Sequence, residues 1–412
     1  MSEEQSLFYL ELSERFKPSL EKVKAFIADK IEPVQEEFYE KRIDENDRWS
    51  LSAHSLGILE GLKSEAKAAG LWNFFLPDWN GEGVTNLDYA YLAAEMGKCP
   101  MSSEVFNCAA PDTGNMEVIH KYGTEAQKKE WLEPLLAGEI RSCFGMTEPG
   151  RACSDAKNVA TRAMLEGDEW VINGEKYYIS GAGDSRCKIM ILMVQTDPDA
   201  PRAQKQSQIL VPLDTPGVNI LGPMHVFGHD AAPHGHMHIK LEDVRVPKEN
   251  ILLGPGRGFE ISQGRLGPGR IHHCMRCIGM SERALRLMCE RGLSREAFGK
   301  PIINLGGNYD VIARTRIEID SMRLMVLQAA RAMDLMGTQQ ARIYISGIKA
   351  MVPEMTCTII DRAIQLHGAT GVSQWTPLAN MYTSARTLRL ADGPDEVHRM
   401  VVARNELSRY KA

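Results

Sequence analysis

The spacing of apolar residues changes twice along the chain. From about residue 18 to 140 the pattern is helical, with segments such as 62–69 and 88–96 separated by glycine and proline at Pro77-Asp78, Gly81 and Pro111. Between about 141 and 255 the runs shorten. Trp170-Val171-Ile172 meets the run 176–179 across Asn173-Gly174, a dipeptide favoured in tight hairpins because both residues tolerate positive φ. Further runs at 189–194, 209–211, 218–221 and 236–246 predict a small β domain. After about 256 the helical period returns. Ile312, Ile319, Met322, Val326, Ala329 and Met333 recur at spacings that stack them on one face, and a second stripe runs through Ile348, Met351, Met355, Ile359 and Ala363. Pro353 inside that stripe predicts a kink or a break, because proline lacks an amide donor and clashes one turn back. The expected organisation is α+β: residues 1–140 an N-terminal α-helical domain, 141–255 a middle β domain, and 256–412 a C-terminal α-helical domain.

Composition narrows the partners more than the fold. The 412 residues are 43% hydrophobic and 25% charged with a net charge of -6, and no block of like charge favours nucleic acid or anionic membrane. The acidic start, Met1-Ser2-Glu3-Glu4-Gln5-Ser6, lacks the basic region of a signal peptide and the arginine bias of a transit peptide. No apolar run is read as long enough to cross a bilayer. The expectation is a cytoplasmic protein without membrane insertion. Nine cysteines, an odd number without a regular framework, fit reduced thiols.

Several short motifs carry chemistry, and their order is more telling than any one of them. They are Cys143-Phe144-Gly145-Met146-Thr147-Glu148-Pro149-Gly150, Tyr178-Ile179-Ser180-Gly181, Val244-Arg245-Val246-Pro247 with Asn250, Arg295-Glu296-Ala297-Phe298-Gly299-Lys300, Gln365-Leu366-His367-Gly368 and Ala391-Asp392-Gly393-Pro394-Asp395-Glu396. Taken alone, Thr147 to Gly150 reads as a loop after a strand, Arg295 as a solvated helix-end arginine, and Asp392-Gly393 as a turn. In this order, from about residue 20 onward, the set resembles the acyl-CoA dehydrogenase family. The last motif, with 106–112, is similar to the branch acting on longer or modified acyl chains.

The resemblance implies a β-barrel-like middle domain and a C-terminal four-helix bundle, FAD as cofactor, an acyl-CoA substrate, electron-transferring flavoprotein as acceptor, and a homo-oligomer, either tetramer or dimer. It implies that Phe144, Met146 and Thr147 line the pyrimidine side of the flavin, and that Tyr178, Ile179 and Ser180 cover one face. Relatives more often carry Trp and Thr where Tyr178 and Ser180 stand; an aromatic wall and a hydroxyl are kept. Arg295 and Phe298 would reach the cofactor of a neighbouring subunit, Gln365 and Gly368 its pyrophosphate, and Pro394, Asp395 and Glu396 its other end. An arginine suits a pyrophosphate as a planar, permanently charged fork. Leu305-Gly306-Gly307-Asn308 stands where many relatives have Gln, so no contact is assigned there.

Oxidation at the α and β carbons of a thioester needs a base for a weakly acidic α-proton, and a positioned carboxylate serves. Asp392 stands where most of the family has Glu. Some relatives carry the base earlier, at the place of Gly269, and glycine cannot abstract a proton. The thioester would be held by Ser154, Gly267, Gly269, Arg270 and Gly393, with Cys153 competing for the place of Ser154 and the hydroxyl preferred as the better hydrogen-bond partner. No metal is expected. Of the five histidines within 225–238, His234, His236 and His238 would share a strand face, but the default is surface or hydrogen-bonded imidazoles. Cys274 and Cys277 read as core thiols. Two other functions compete: an oxidase of an acyl-CoA or nitroalkane-like carbon acid, where relatives use an Asp base, and a non-catalytic flavin- or CoA-binding protein.

Overall fold

A computed structural model describes residues 6–76 and 83–410, apart from the side chains of Arg265 and Leu266. Pro77, Asp78 and Gly81, and the first five residues of the acidic start, lie outside the described residues. The chain divides into two compact units. One comprises Met1–Pro33, Pro77–Ser103 and Gly267–Ala412, and the other Val34–Leu76 and Glu104–Leu266.

The second unit is built on a seven-stranded sheet formed by β1 (Arg141–Gly145), β2 (Arg162–Glu166), β3 (Glu169–Ser180), β4 (Cys187–Gln195), β5 (Gln206–Pro212), β6 (Val218–Pro223) and β7 (His236–Pro247). The order is β1-β4-β2-β3-β7-β6, with β5 on β4. β4 is buried at six successive positions, Ile189 to Val194, because both of its faces are covered. Trp170, Ile172, Met190, Leu192, Ile209, Val211, Met237, Ile239 and Val244 form the core of the sheet, with Trp49 packed against it.

The hairpin expected at Asn173-Gly174 is not there. β3 runs straight through it, and the turn falls at Gly167-Asp168, where Gly167 has φ 63° and Glu166 pairs with Glu169. Asn173 and Gly174 instead sit at a register shift in the β3–β7 ladder, where the Asn173 amide donates to Asp243 Oδ1 at 2.9 Å. Glycine is needed at 174 for close approach: a Cβ there would stand 2.6 Å from the Thr161 side chain. The same dipeptide chemistry serves a bulge as well as a turn, and only strand pairing separates the two.

The helical unit contains Asn86–Gly97, the C-terminal portion of Gly258–Ser294, and Asn308–Gln340, Arg342–His367, Leu378–Leu388 and Asp395–Ser408. Asn86–Gly97 begins on Thr85, whose hydroxyl accepts from the Asp88 amide. Its first turn is also held by Asp334, which accepts from the Asn86 and Leu87 amides at 2.8 and 3.0 Å. Gly97 and Gly279 let two helices touch backbone to backbone. A Cβ at 279 would lie 2.0 Å from the Ala94 carbonyl oxygen, and one at 97 would lie 2.2 Å from that of Arg276.

Of the two apolar stripes read from the sequence, Ile319, Met322, Val326, Ala329, Met333, Ile348, Ile359 and Ala363 are buried. The helix Arg342–His367 continues through Pro353 without a break. With its extension to Val372 it is long and apolar enough to cross a membrane, contrary to the reading that no run reaches that length; 61% of its apolar window is buried within the fold. Cys274 and Cys277 are fully buried, and burial pushes the Cys277 thiol up to about 12.

Candidate active site

In the sheet unit the Thr147 segment leaves β1 and is clamped from beneath. The fully buried Lys176 ammonium donates to Glu148 Oε1 at 2.8 Å and to the Met146 carbonyl at 3.0 Å. Glu148 accepts two further bonds, from the Ala160 and Thr161 amides at 2.9 and 2.8 Å. Burial alone would push the Glu148 carboxyl up, but Lys176 and the Thr161 amide outweigh it and hold it below the usual range. Thr147 then pairs with the next strand: its hydroxyl donates to the Tyr177 carbonyl at 2.7 Å and its carbonyl accepts from the Tyr177 amide at 3.1 Å.

Tyr177 and Tyr178 fall at a second register shift, between Lys176 and Ile179. The bulge leaves Tyr178 with φ 55° and its ring exposed, while Ile179 returns to the core. The Ser180 hydroxyl bonds His236 Nδ1 at 2.8 Å. A half-buried hydroxyl, an exposed aromatic face and a fixed strand end suit a flat ring with a hydrogen-bonding edge. Phe144 and Met146 are half-buried, and Met146 packs against the cluster of Cys153, Val159 and Met193. Because Cys153 is spent in that cluster, with burial raising its thiol pKa, exposed Ser154 is the residue of the pair able to meet a ligand.

Beside this loop lies a cavity of about 370 Å³ lined by Arg151, Lys157, Asn158, Val159, Ala160, Gln195, Arg202 and Lys205. Four cations at one opening suit a phosphorylated ligand, although Arg202 is partly neutralised by Asp155 at 2.6 Å. The sequence reading missed this site. Its cations come from two separate loops, and only their convergence marks it.

Two of these histidines are held by hydrogen bonds and a third by a ring contact. His236 meets Ser180, His238 meets Glu175, and His234 packs edge-on to His236 with centroids 5.8 Å apart. Among the described residues no group of three or more His, Cys, Asp or Glu side chains converges as a metal site.

In the helical unit Asp392 and Gly393 connect the helices Leu378–Leu388 and Asp395–Ser408, with φ 55° and 101°. This left-handed pair is pinned by side chains. The Asp392 carbonyl accepts from Arg270 Nε at 2.9 Å and from His398 Nε2 at 3.2 Å, and the Gly393 carbonyl from Lys349 Nζ at 3.2 Å. Lys349 also donates to the Leu388 carbonyl at 2.6 Å. Burial lowers the pKa of Lys349 and drives that of His398 down to about 4. A Cβ at Gly393 would lie 2.9 Å from His398 Nε2, so this position requires glycine for space as well as for its φ.

The pinned backbone directs the Asp392 carboxylate toward the helix Gly258–Ser294. Asp392 Oδ2 lies 3.3 Å from His273 Nε2, and a Cβ at Gly269 would stand only 3.1 Å from the same oxygen. The two positions that the resemblance marks for a base, 392 and 269, thus lie at one spot. Gly267 is packed against Thr338, which a Cβ would approach to 2.1 Å.

The remaining expected residues are spread more widely. Arg295 is exposed, and Phe298 is 94% exposed with φ 55° on a short hairpin, β8 (Glu296–Ala297) with β9 (Lys300–Pro301). Gln365 is exposed, and Gly368 has φ 64° with no atom within 4 Å of where a Cβ would be, leaving room for a backbone-bound group. Pro394 caps the last helix and Glu396 is exposed, but Asp395 is 2% exposed and bonded to Arg389 Nε at 2.7 Å.

Sequence comparison defines the class of this chain. Residues 17–139, 143–243 and 256–407 match the acyl-CoA dehydrogenase N-terminal, middle and C-terminal domains in turn. The chain is 52% identical over 356 residues to the Mycobacterium tuberculosis protein named Probable acyl-CoA dehydrogenase FadE2, covering 86% of this chain and 87% of that protein. It is 52% identical over 402 residues, 96% of its length, to Acyl-CoA dehydrogenase family member 10 of Mus musculus, and spans 37% of that longer relative. A solved structure assigned as an acyl-CoA dehydrogenase from Mycobacterium abscessus superimposes with a TM-score of 0.93 at 48% identity, covering 97% of this chain and 100% of that one. The chain therefore belongs to the acyl-CoA dehydrogenase family, a family of FAD-dependent oxidoreductases.

Proposed function

We propose that this chain catalyses the α,β-dehydrogenation of an acyl-CoA thioester to the trans-2-enoyl-CoA, with Asp392 abstracting the α-proton. The observation that carries this reading is the place of the Asp392 carboxylate, 3.1 Å from where a side chain at Gly269 would begin. A shorter acid at 392 reaches this spot because its backbone is held in a left-handed turn and residue 269 has no side chain to exclude it.

FAD, when bound, accepts at flavin N5 the hydride leaving the β-carbon. Phe144, Met146, Thr147, Tyr178, the backbone of Ile179 and Ser180 are assigned to its ring. Arg295, Phe298, Gln365 and Gly368 are assigned to its pyrophosphate and adenosine portion, with Pro394, the Asp395 backbone and Glu396 at the far end. The exposed Phe298 ring supports a homo-oligomer in which this hairpin inserts into a second subunit, because an isolated phenyl ring at a hairpin tip gains nothing from water. Ser154, Gly267, Gly269, Arg270 and Gly393 hold the thioester, and the basic cavity takes the phosphates of the CoA nucleotide. Electron-transferring flavoprotein is the proposed acceptor.

Anaerobic titration of the FAD-loaded protein with acyl-CoAs of graded length and branching tests the reading. Bleaching of the flavin by one class of thioester is expected, and Asp392→Asn should abolish it with FAD retained. Absence of bleaching by every thioester would overturn the dehydrogenase assignment, and substrate-driven oxygen consumption would replace it with an oxidase.

A further inference from the structure

Ser180 closes β3 and His236 opens β7, and the two residues are paired directly across the antiparallel ladder. Directly opposed side chains share one face of a sheet, which brings Ser180 Oγ to 2.8 Å from His236 Nδ1. The main chain around the imidazole is held from both sides. The His236 carbonyl accepts from the Met224 amide at 2.7 Å, the Gly235 carbonyl from the Gly181 amide at 3.0 Å, and the His234 carbonyl from the Gly183 amide at 3.3 Å. His234 packs edge-on to the ring, with centroids 5.8 Å apart.

A hydroxyl and an imidazole can bond in either direction, and the basicity of the two groups chooses between them. Burial lowers the His236 pKa, so at neutral pH the ring is uncharged and one of its nitrogens is bare. A bare imidazole nitrogen is a far stronger base than a serine oxygen, so the bond is stronger with the hydroxyl as donor. The Ser180 proton is then spent on Nδ1, and the proton of the ring sits on Nε2. Half-buried Ser180 keeps only lone pairs for a ligand.

We propose that His236 is a positioning residue for the flavin cradle: by taking the Ser180 hydroxyl proton at Nδ1 it makes Ser180 a hydrogen-bond acceptor toward flavin N5, and so favours the reduced cofactor. The inference rests on the assignment of Ser180 to the flavin ring. N5 is itself an acceptor in the oxidised ring, and once the hydride has arrived it is an N–H donor. An acceptor held opposite that atom finds its partner only after hydride transfer, and an interaction made in one state alone shifts the equilibrium toward that state. Without His236 the hydroxyl can rotate and donate to the oxidised ring, so the two states are served alike.

The test measures the reduction potential of the bound flavin in the FAD-loaded protein and its variants. His236→Phe keeps a planar ring and removes the acceptor. The equilibrium constant for reduction should fall about tenfold, the order of one hydrogen bond, which for a two-electron couple is about 30 mV. His236→Asn should recover most of that shift, because its amide oxygen falls near the place of Nδ1. Ser180→Ala should also lower the potential, and adding His236→Phe to it should change nothing further, since His236 acts through the hydroxyl. A role in shaping the strand end alone would weaken FAD binding equally in both redox states and leave the potential in place. A potential that stays or rises in folded, FAD-replete His236→Phe, while Ser180→Ala lowers it, would overturn the inference and leave Ser180 at the ring. An unmoved potential in Ser180→Ala would remove Ser180 from the ring, and the inference with it.

The direction of the bond can be read in the wild-type protein by nitrogen NMR of isotope-labelled histidine, which reports the tautomer of each ring. The His236 signals are assigned by their loss in His236→Asn. A bare Nδ1 with a protonated Nε2 at neutral pH is expected. A protonated Nδ1 would reverse the bond, make Ser180 a donor and overturn the inference, whatever the potentials.

Discussion

The Lys176–Glu148 pair lets the structure be tested away from any cofactor. Lys176→Met removes the ammonium and leaves Glu148, 4% exposed, on the Ala160 and Thr161 amides. Breaking a buried pair by removing one partner typically costs about 3–5 kcal/mol, because the remaining charge is uncompensated, whereas replacing both partners is far less costly. The orphaned Met146 carbonyl adds the smaller cost of one lost hydrogen bond. Lys176→Met should therefore lower the stability of the sheet unit by roughly 3–5 kcal/mol, and Lys176→Met with Glu148→Gln should recover more than half of that loss. Urea melts followed by tryptophan fluorescence report it through Trp170 and Trp49, which belong to this core. Because Glu148 is held below its ordinary 4.5 in the folded state, its contribution is present above that pH and is lost as pH falls through the folded value. The gap between wild type and Lys176→Met should narrow toward acid. A single variant that costs under about 1 kcal/mol, or a double variant worse than the single, would refute the clamp.

Gly174→Ala should destabilise the sheet unit by about 1–3 kcal/mol, since the new Cβ would meet Thr161 at 2.6 Å, and differential scanning calorimetry should show a lowered midpoint. Burial drives His398 from its ordinary 6.5 to about 4 and, helped by Arg141, His234 to about 3. A histidine depressed in the fold stabilises above its unfolded pKa. Each should therefore lose about 1.4 kcal/mol per pH unit below 6.5 until its folded value is reached, and chemical denaturation at pH 7 and pH 5 should differ accordingly. Arg202→Glu with Lys205→Glu should raise KM for an acyl-CoA on the order of tenfold while sparing the matching acyl-pantetheine, as steady-state kinetics at low salt would register. Phe298→Asp should weaken assembly without unfolding the subunit, which light scattering and circular dichroism together would report.

Periodicity alone located most elements, because helical stripes such as Ile319, Met322 and Val326 and continuous runs such as 189–194 are direct records of which faces are covered. It misplaced the hairpin because Asn173-Gly174 and Gly167-Asp168 are both turn-forming pairs, and the choice depends on pairing with β7 and contact with Thr161, which are distant in sequence. Local motifs marked Thr147, Tyr178 and Asp392, but not what holds them. Lys176 looks like an ordinary strand lysine until its ammonium is found beneath Met146, and the basic cavity exists only once the loops bearing Arg151 and Arg202 meet. His273 was invisible for a different reason. Next to His272 it reads as one of a pair, and only rotation about the helix sends one ring to Tyr89 and the other to the acid.

The shorter acid at 392 follows from its setting. An aspartate places its carboxylate one methylene closer to the backbone than a glutamate, so reach must come from the main chain. Here the main chain supplies it through a left-handed Asp392-Gly393 turn, a conformation that costs a non-glycine residue about 1 kcal/mol or more and persists only when neighbours over-determine it. Arg270, His398 and Lys349 provide that restraint through the two carbonyls. Gly269 completes the arrangement, since any side chain there would occupy the space through which the aspartate reaches.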